Sequence, residues 1–206
     1  MKKLTSFLVS RVAHILSGFF MTLLYAFFAY AHLQNFFKTQ QITMLLFFFA
    51  ETLLVFFYIF RNKPVTISVN SFDWTVAIIG TFAPLFFRPV DWGLFPSAKY
   101  AIIVGVIAQI VSLISLNQSF ALVPAIRKIK TGWMYRCVRH PIYASYCLTF
   151  MGYVLTNTNS ANIVAYLVSM TFLLIRIVRE EKHLALNPVY IEYMSKVRYR
   201  LIPYIV

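Results

Sequence analysis

Apolar and polar positions follow one another along this chain in long blocks. Apolar runs extend from Val12 to Leu33, Ile42 to Phe60, Phe72 to Phe87, Tyr100 to Leu116, Ile142 to Thr156 and Asn162 to Val178. Several approach the roughly 20 helical residues that cross a bilayer, so together they predict an all-α polytopic bundle of about five to six spans. The third and fifth runs are short, and Pro84 predicts a kink in the third, which makes five full spans and a partial one the alternative count. The short, uncharged stretch from Asn157 to Ser160 predicts a tight antiparallel hairpin between the last two runs. Two long polar segments remain, Asn117 to Pro141 and Arg176 to the C-terminus. In the second, Asn187 and Pro188 have the pattern of a helix cap and first position. The helix they begin carries Val189, Tyr193 and Val197 on one apolar stripe, Tyr190 and Met194 beside it, and Glu192, Lys196 and Arg198 elsewhere, a pattern that predicts a helix along the membrane surface.

Composition narrows this picture. Of 206 residues 60% are hydrophobic and 12% charged, with a mean hydropathy of +0.73. The expectation is a single membrane domain, in which residues 1–116 supply the N-terminal transmembrane helices and residues 117–206 hold the polar segments and any chemistry. Nineteen Lys and Arg against six acids would suggest nucleic acid in a soluble protein; beside spanning helices they predict contact with membrane lipids and no nucleic-acid partner. With the N-terminus inside, alternate loops leave only Lys38, Arg88 and Lys99 on the outer side, which predicts a multi-pass protein with both termini cytoplasmic. Lys2 and Lys3 precede an apolar stretch with no small-residue cleavage site, the pattern of an uncleaved first helix. Cys137 and Cys147 fall near a cytoplasmic loop, where no disulfide is expected, and the lone CxxH spacing of Cys137 and His140 predicts no metal site.

Two clusters carry candidate chemistry. In Arg139-His140-Pro141-Ile142-Tyr143 the proline suits a first helical position, so the following N–H groups form an anion-attracting helix start, to which Arg139 and His140 add charge and donors. The bland alternative is a basic loop with a helix-starting proline. In Arg176-Ile-Val-Arg-Glu180-Glu181 helical spacing puts Arg176 and Glu180 on one face, beside a second carboxylate; an interfacial ion pair is the bland alternative. Each cluster adjoins the predicted hairpin, so both meet on one membrane face, where cations beside carboxylates suit a zwitterionic ligand with hydroxyls. Glu51, mid-way along the second run, is either a neutral, hydrogen-bonded acid or part of a cavity wall. The chain has no Gly-rich phosphate loop and no internal repeat.

The residues from Ser119-Phe120 and Pro124-Ala-Ile-Arg127 through Tyr135-Arg136 and Arg139-His140-Pro141-Ile-Tyr143, then Arg176-Ile-Val-Arg-Glu180-Glu181, Pro188-Val-Tyr190, Tyr193 and Arg200-Leu-Ile-Pro203, resemble a known family. It is that of the integral-membrane methyltransferases related to isoprenylcysteine carboxyl methyltransferase and phospholipid N-methyltransferases, and the likeness covers about the last ninety residues. The resemblance implies S-adenosyl-L-methionine as methyl donor, in a pocket open to the cytosol and joined to a tunnel for a membrane-embedded, lipid-like acceptor. By the resemblance Tyr135, His140, Pro141, Tyr143 and Glu180 are cofactor-pocket residues, with Arg127 and Arg139 as further candidates, and Arg176 positions the substrate. On chemical grounds alone, an amine acceptor must first lose a proton, for which Glu181 or His183 is the candidate base. The bacterial look of the C-terminal motif implies the inner membrane. Thr131-Gly132-Trp-Met-Tyr135 is one residue longer than the family's usual turn, and Leu186-Asn187-Pro188 replaces the Phe-Gly of eukaryotic carboxyl methyltransferases, departures that bear on prenylcysteine specificity. Carboxylate, amine and thiol acceptors all remain open. Two other classes stand beside this reading, an NADPH-dependent sterol or enone reductase with a similar C-terminal region and a non-enzymatic transporter or scaffold.

Overall fold

The computed structural model describes residues 7–205, so Lys2 and Lys3 lie outside the described residues. Each apolar run forms a helix: α1 (Arg11–Thr39), α2 (Ile42–Ile59), α3 (Ser71–Phe82), α4 (Lys99–Leu116), α5 (Pro141–Thr156) and α6 (Ser160–Leu184), followed by the short α7 (Pro188–Lys196). Four of them, α1, α2, α4 with its flanking turns, and α6, are long and apolar enough to cross a membrane. The other two are the runs that are short in the sequence. α3 gives way to a 3-10 turn over Ala83–Phe86, where Pro84 has no N–H to continue the α-helical ladder. The architecture is an all-α polytopic bundle, and its exposed surface is crowded with large apolar side chains such as Phe19, Phe27, Phe56 and Val164, as a lipid-facing surface requires.

Sequence sets the helix ends locally. Asn70, Asn159 and Asn187 cap α3, α6 and α7, each accepting a backbone N–H with its side-chain oxygen. On the face away from the polar segments, Asn162 is fully buried and binds Arg88 through both its carbonyl and its amide, while Asn157 and Thr158 hold Val90 and Leu94. The loop after α3 is thereby fixed onto the α5–α6 hairpin.

Small residues let α4 and α5 approach closely. Ser145, Thr149 and Gly152 share one buried face of α5, and a Cβ placed on Gly105 of α4 would stand 2.3 Å from Thr149 Oγ1 and 2.9 Å from Thr149 N. Packing of this kind holds helices together where lipid provides no hydrophobic drive. Gly105→Ala is therefore expected to cost about 1–3 kcal/mol through overpacking. Thr149→Ala in the same chain should restore part of it by removing the nearer of the two contacts. Thermal unfolding in detergent reads both changes, and an unchanged midpoint in the single variant would contradict the close approach.

On the opposite face the connections are ionic and extended. A two-residue antiparallel pair joins β1 (Thr66–Ile67) to β2 (Ala125–Ile126), an element that the all-α pattern does not signal. Asp73, at the start of α3, accepts from Ser68 and pairs with Arg179 of α6, and Thr66 meets His183 at 3.1 Å. These contacts bring the α2–α3 connection, the segment after α4 and the end of α6 together on one side of the bundle.

Candidate active site

Pro141 occupies the first position of α5 and holds His140 in a non-helical conformation before it. Two backbone bonds fix this approach from the far end of the chain, Arg139 N to Tyr199 O and His140 N to Arg200 O, both 2.9 Å. Arg139 then reaches back with Nη1 to the carbonyls of Val197 and Arg198, each at 2.8 Å. The RHPxY segment is thus positioned by the C-terminal tail as well as by its own proline.

Facing it is the end of α6. Glu180 and Glu181 are adjacent, so their side chains leave the helix about 100° apart and meet different surroundings. Glu180 accepts a hydrogen bond from the Tyr143 hydroxyl at 2.5 Å. Glu181, only 7% exposed, accepts from Arg139 Nε at 2.6 Å and from Arg200 Nε at 2.9 Å, and its Oε1 lies 3.2 Å from His140 Nε2. Charge-assisted bonds of this length are the strong ones. His140 in turn stacks on Tyr143 with ring centroids 5.5 Å apart. The two motifs are one connected network.

This network walls a cavity that is open on one side. Tyr135, Arg139, His140, Tyr143 and Glu180 line it together with Tyr190 and Tyr193 of α7, and Arg127, Lys128 and Lys130 add a basic stretch. Glu180 is the one acid among the lining residues. Tyr190 and Tyr193 pack against Tyr135, and the Tyr193 hydroxyl donates to Tyr135 O at 2.7 Å. Burial pushes the phenols of Tyr135, Tyr190 and Tyr193 up, so all three stay neutral donors across the ordinary pH range. The Tyr190 hydroxyl is buried without a partner, a donor left free at the cavity wall. The buried face of α7 is therefore turned toward Tyr190 and away from Val189, which is exposed.

Four expected site residues lie outside the lining, one of them His183, whose ring meets Thr66. Pro141 is buried beneath the helix start. Glu181 is enclosed by its three cationic or imidazole neighbours. Arg176, also buried, stacks 5.4 Å over the Tyr143 ring and donates to Leu122 O at 2.6 Å, Thr81 Oγ1 at 3.1 Å and Ala121 O at 3.4 Å. Its Nε has no partner, and no carboxylate pairs with it among the described residues. Tyr190, Tyr193, Lys128 and Lys130 are lining residues to which the motif reading gives no role. The three-residue spacing of the two tyrosines on an amphipathic helix is the signal that they share a face.

The arrangement supplies a cationic helix start, a carboxylate tied to a phenol and an aromatic wall in one cavity. It suits a ligand that carries an anionic group, hydroxyls and an apolar or cationic portion. No curated protein matches the chain. Residues 97–187 match the family model described as phospholipid methyltransferase. That match takes in α4, which packs into α5 through Gly105, and stops before Pro188, whereas the motif likeness starts at Ser119 and runs on to Pro203. Over the segment that builds most of the cavity, this chain is similar to the integral-membrane phospholipid methyltransferases, a family that indicates a membrane methyltransferase.

Proposed function

We propose that this protein transfers a methyl group from S-adenosyl-L-methionine to a lipid-like acceptor at one face of the membrane, the face on which the two motifs meet. The observation that carries the reading is the Tyr143–Glu180 hydrogen bond, which joins the RHPxY helix to the RIxxEE helix at the wall of a single cavity. The residues present fit the cofactor: the α5 start with Arg139 and His140 suits its carboxylate, Glu180 its hydroxyls or amino group, and the unpartnered Tyr190 hydroxyl a further acceptor atom. When bound, S-adenosyl-L-methionine supplies a methyl group already activated by the sulfonium charge. The work left to this chain is alignment and exclusion of water, for which the walls of Tyr135, Tyr143, Tyr190 and Tyr193 and the cation of Arg176 are available. In this reading Glu181 is a positioning residue, because both of its oxygens are engaged by Arg139, Arg200 and His140.

One observation favours a second reading. Apart from Arg139, which is paired with Glu181, the lining holds Arg127, Lys128 and Lys130 against the single carboxylate of Glu180, a balance that also suits the phosphates of NADPH. Calorimetry on the detergent-purified protein separates the two. Saturable binding of S-adenosyl-L-methionine, weakened roughly 10- to 150-fold in Glu180→Ala, is the expected result, because a hydrogen bond to a charged group contributes about 1.5–3 kcal/mol. Binding of NADPH alone by a folded sample would overturn the methyl-transfer reading.

A further inference from the structure

One group of cations near the cavity has no acidic counterpart. Arg61 follows α2, and two backbone bonds fix its neighbourhood to the segment after α4, Asn62 N to Gln118 O at 2.9 Å and Val65 N to Ile126 O at 2.7 Å. With Thr66 paired opposite Ile126, the chain brings Arg61 toward Arg127 although they are far apart in sequence. Arg61 donates through Nη2 to His14 O at 2.7 Å and Ser17 Oγ at 2.6 Å, and Gly18 leaves the space in which its guanidinium lies against α1. Its Nε is buried and unpartnered. Arg127 is 7% exposed, lines the cavity, and has neither a partner on Nε nor one on Nη1. No carboxylate pairs with either arginine among the described residues.

Such an arrangement is costly as it stands. Burial, and then the charge of Arg61, bring the Arg127 guanidinium down to about 10, which still leaves it protonated at neutral pH. Two desolvated like charges with three unmet donors need an anion, and a guanidinium fork matches the oxygens of a phosphate. Arg61 stands where α2 ends, next to the first turns of α1, the level at which lipid head groups meet a spanning helix.

We propose that Arg61 and Arg127 form an anion site for a phosphate group, opening into the cavity and distinct from the contacts of the methyl donor. The site deepens the methyl-transfer reading and rests on it for its use: the phosphate belongs to the head group of the acceptor and fixes the acceptor's depth in the cavity. The shared chemistry is a phosphate oxyanion, whether from a lipid or free in solution.

Titration of the full-length protein in neutral detergent tests it, with dihexanoylphosphatidylethanolamine, dihexanoylglycerol and inorganic phosphate as probes and S-adenosyl-L-methionine measured separately. The expected result is that Arg127→Gln and Arg61→Gln each weaken the phospholipid at least about tenfold, that Arg127→Lys retains part of the affinity, that the diacylglycerol binds all variants alike, and that S-adenosyl-L-methionine binds Arg61→Gln, whose side chain lies outside the cavity lining, as it binds the wild type. A loss confined to inorganic phosphate would support the anion site with a free anion as its ligand. Equal phospholipid and phosphate binding in wild type and in folded Gln variants would overturn the proposal, as would loss of S-adenosyl-L-methionine binding in Arg127→Gln, which would assign Arg127 to the cofactor. Absence of S-adenosyl-L-methionine binding in the wild type would sink the methyl-transfer reading while the phosphate measurements still decide the site.

Discussion

Glu181→Ala is expected to destabilise the protein by about 3–5 kcal/mol, the cost of removing one partner from a buried charge cluster. The cost comes from what the carboxylate leaves behind. Side chains of Arg139 and His140 are 9% and 4% exposed, so neither regains water when its partner is lost. Arg200 is 46% exposed and contributes little to the penalty. Glu181→Gln keeps an acceptor of the same shape and is expected to fall between the two. Urea unfolding in a fixed detergent measures the difference. Because Arg139 and His140 line the cavity, the alanine variant should also weaken S-adenosyl-L-methionine, with partial recovery in the glutamine variant. A change below about 1 kcal/mol would mean that water reaches the cluster and that Glu181 does not organise it.

The roles of Glu180 and Glu181 mark where sequence stops being enough. Both motifs are legible as motifs, and the helix lengths, the Asn187–Pro188 cap and the weak third and fifth runs can all be read from residue types, because they depend on local chemistry. Which of two neighbouring carboxylates faces a cavity depends on what stands opposite. Only the tail from Val197 to Arg200, folded back onto Arg139 and His140, makes Glu181 the enclosed one. The same holds for α7, where the stripe of Val189, Tyr193 and Val197 predicts membrane contact. Tyr190 takes the place of Val189 on the buried side because Tyr135 offers it an aromatic partner within the protein.

Arg61 and Gly105 carried no signal at all. A single arginine after an apolar run reads as a positive-inside residue, and a glycine within a run reads as a weak helix position. Their meaning is non-local. Arg61 matters through the β1–β2 pairing that leads to Arg127, and Gly105 through Thr149 on the next helix. Glu51 is a different case: its Oε2 is buried without a partner in α2, so the open alternative between a bonded acid and a cavity wall is narrowed against the first for that oxygen.

Arg176→Ala is expected to lower methyl transfer on the order of 10²-fold, comparable to deleting a positioned donor at a reacting centre, while leaving S-adenosyl-L-methionine affinity nearly unchanged. Arg176 touches no lining carboxylate; it touches the Tyr143 ring and the carbonyls of Leu122 and Ala121, the latter a cavity residue. A guanidinium held this way, with Nε unpartnered, is a fixed positive charge beside the cavity wall. In the proposed reaction that charge would act through the Tyr143 ring and the Ala121 wall, orienting the acceptor without taking part in the proton balance. The substitution also leaves the Leu122 carbonyl unmet, a loss of about 1–3 kcal/mol in stability, so turnover must be expressed per folded molecule. Arg176→Lys keeps the charge and loses the fork, and should give an intermediate rate. The assay is transfer of radiolabelled methyl from S-adenosyl-L-methionine into lipid-extractable product with a membrane lipid extract as acceptor. Full transfer by folded Arg176→Ala would remove the positioning role and leave Arg176 as a clamp between α6 and the segment after α4.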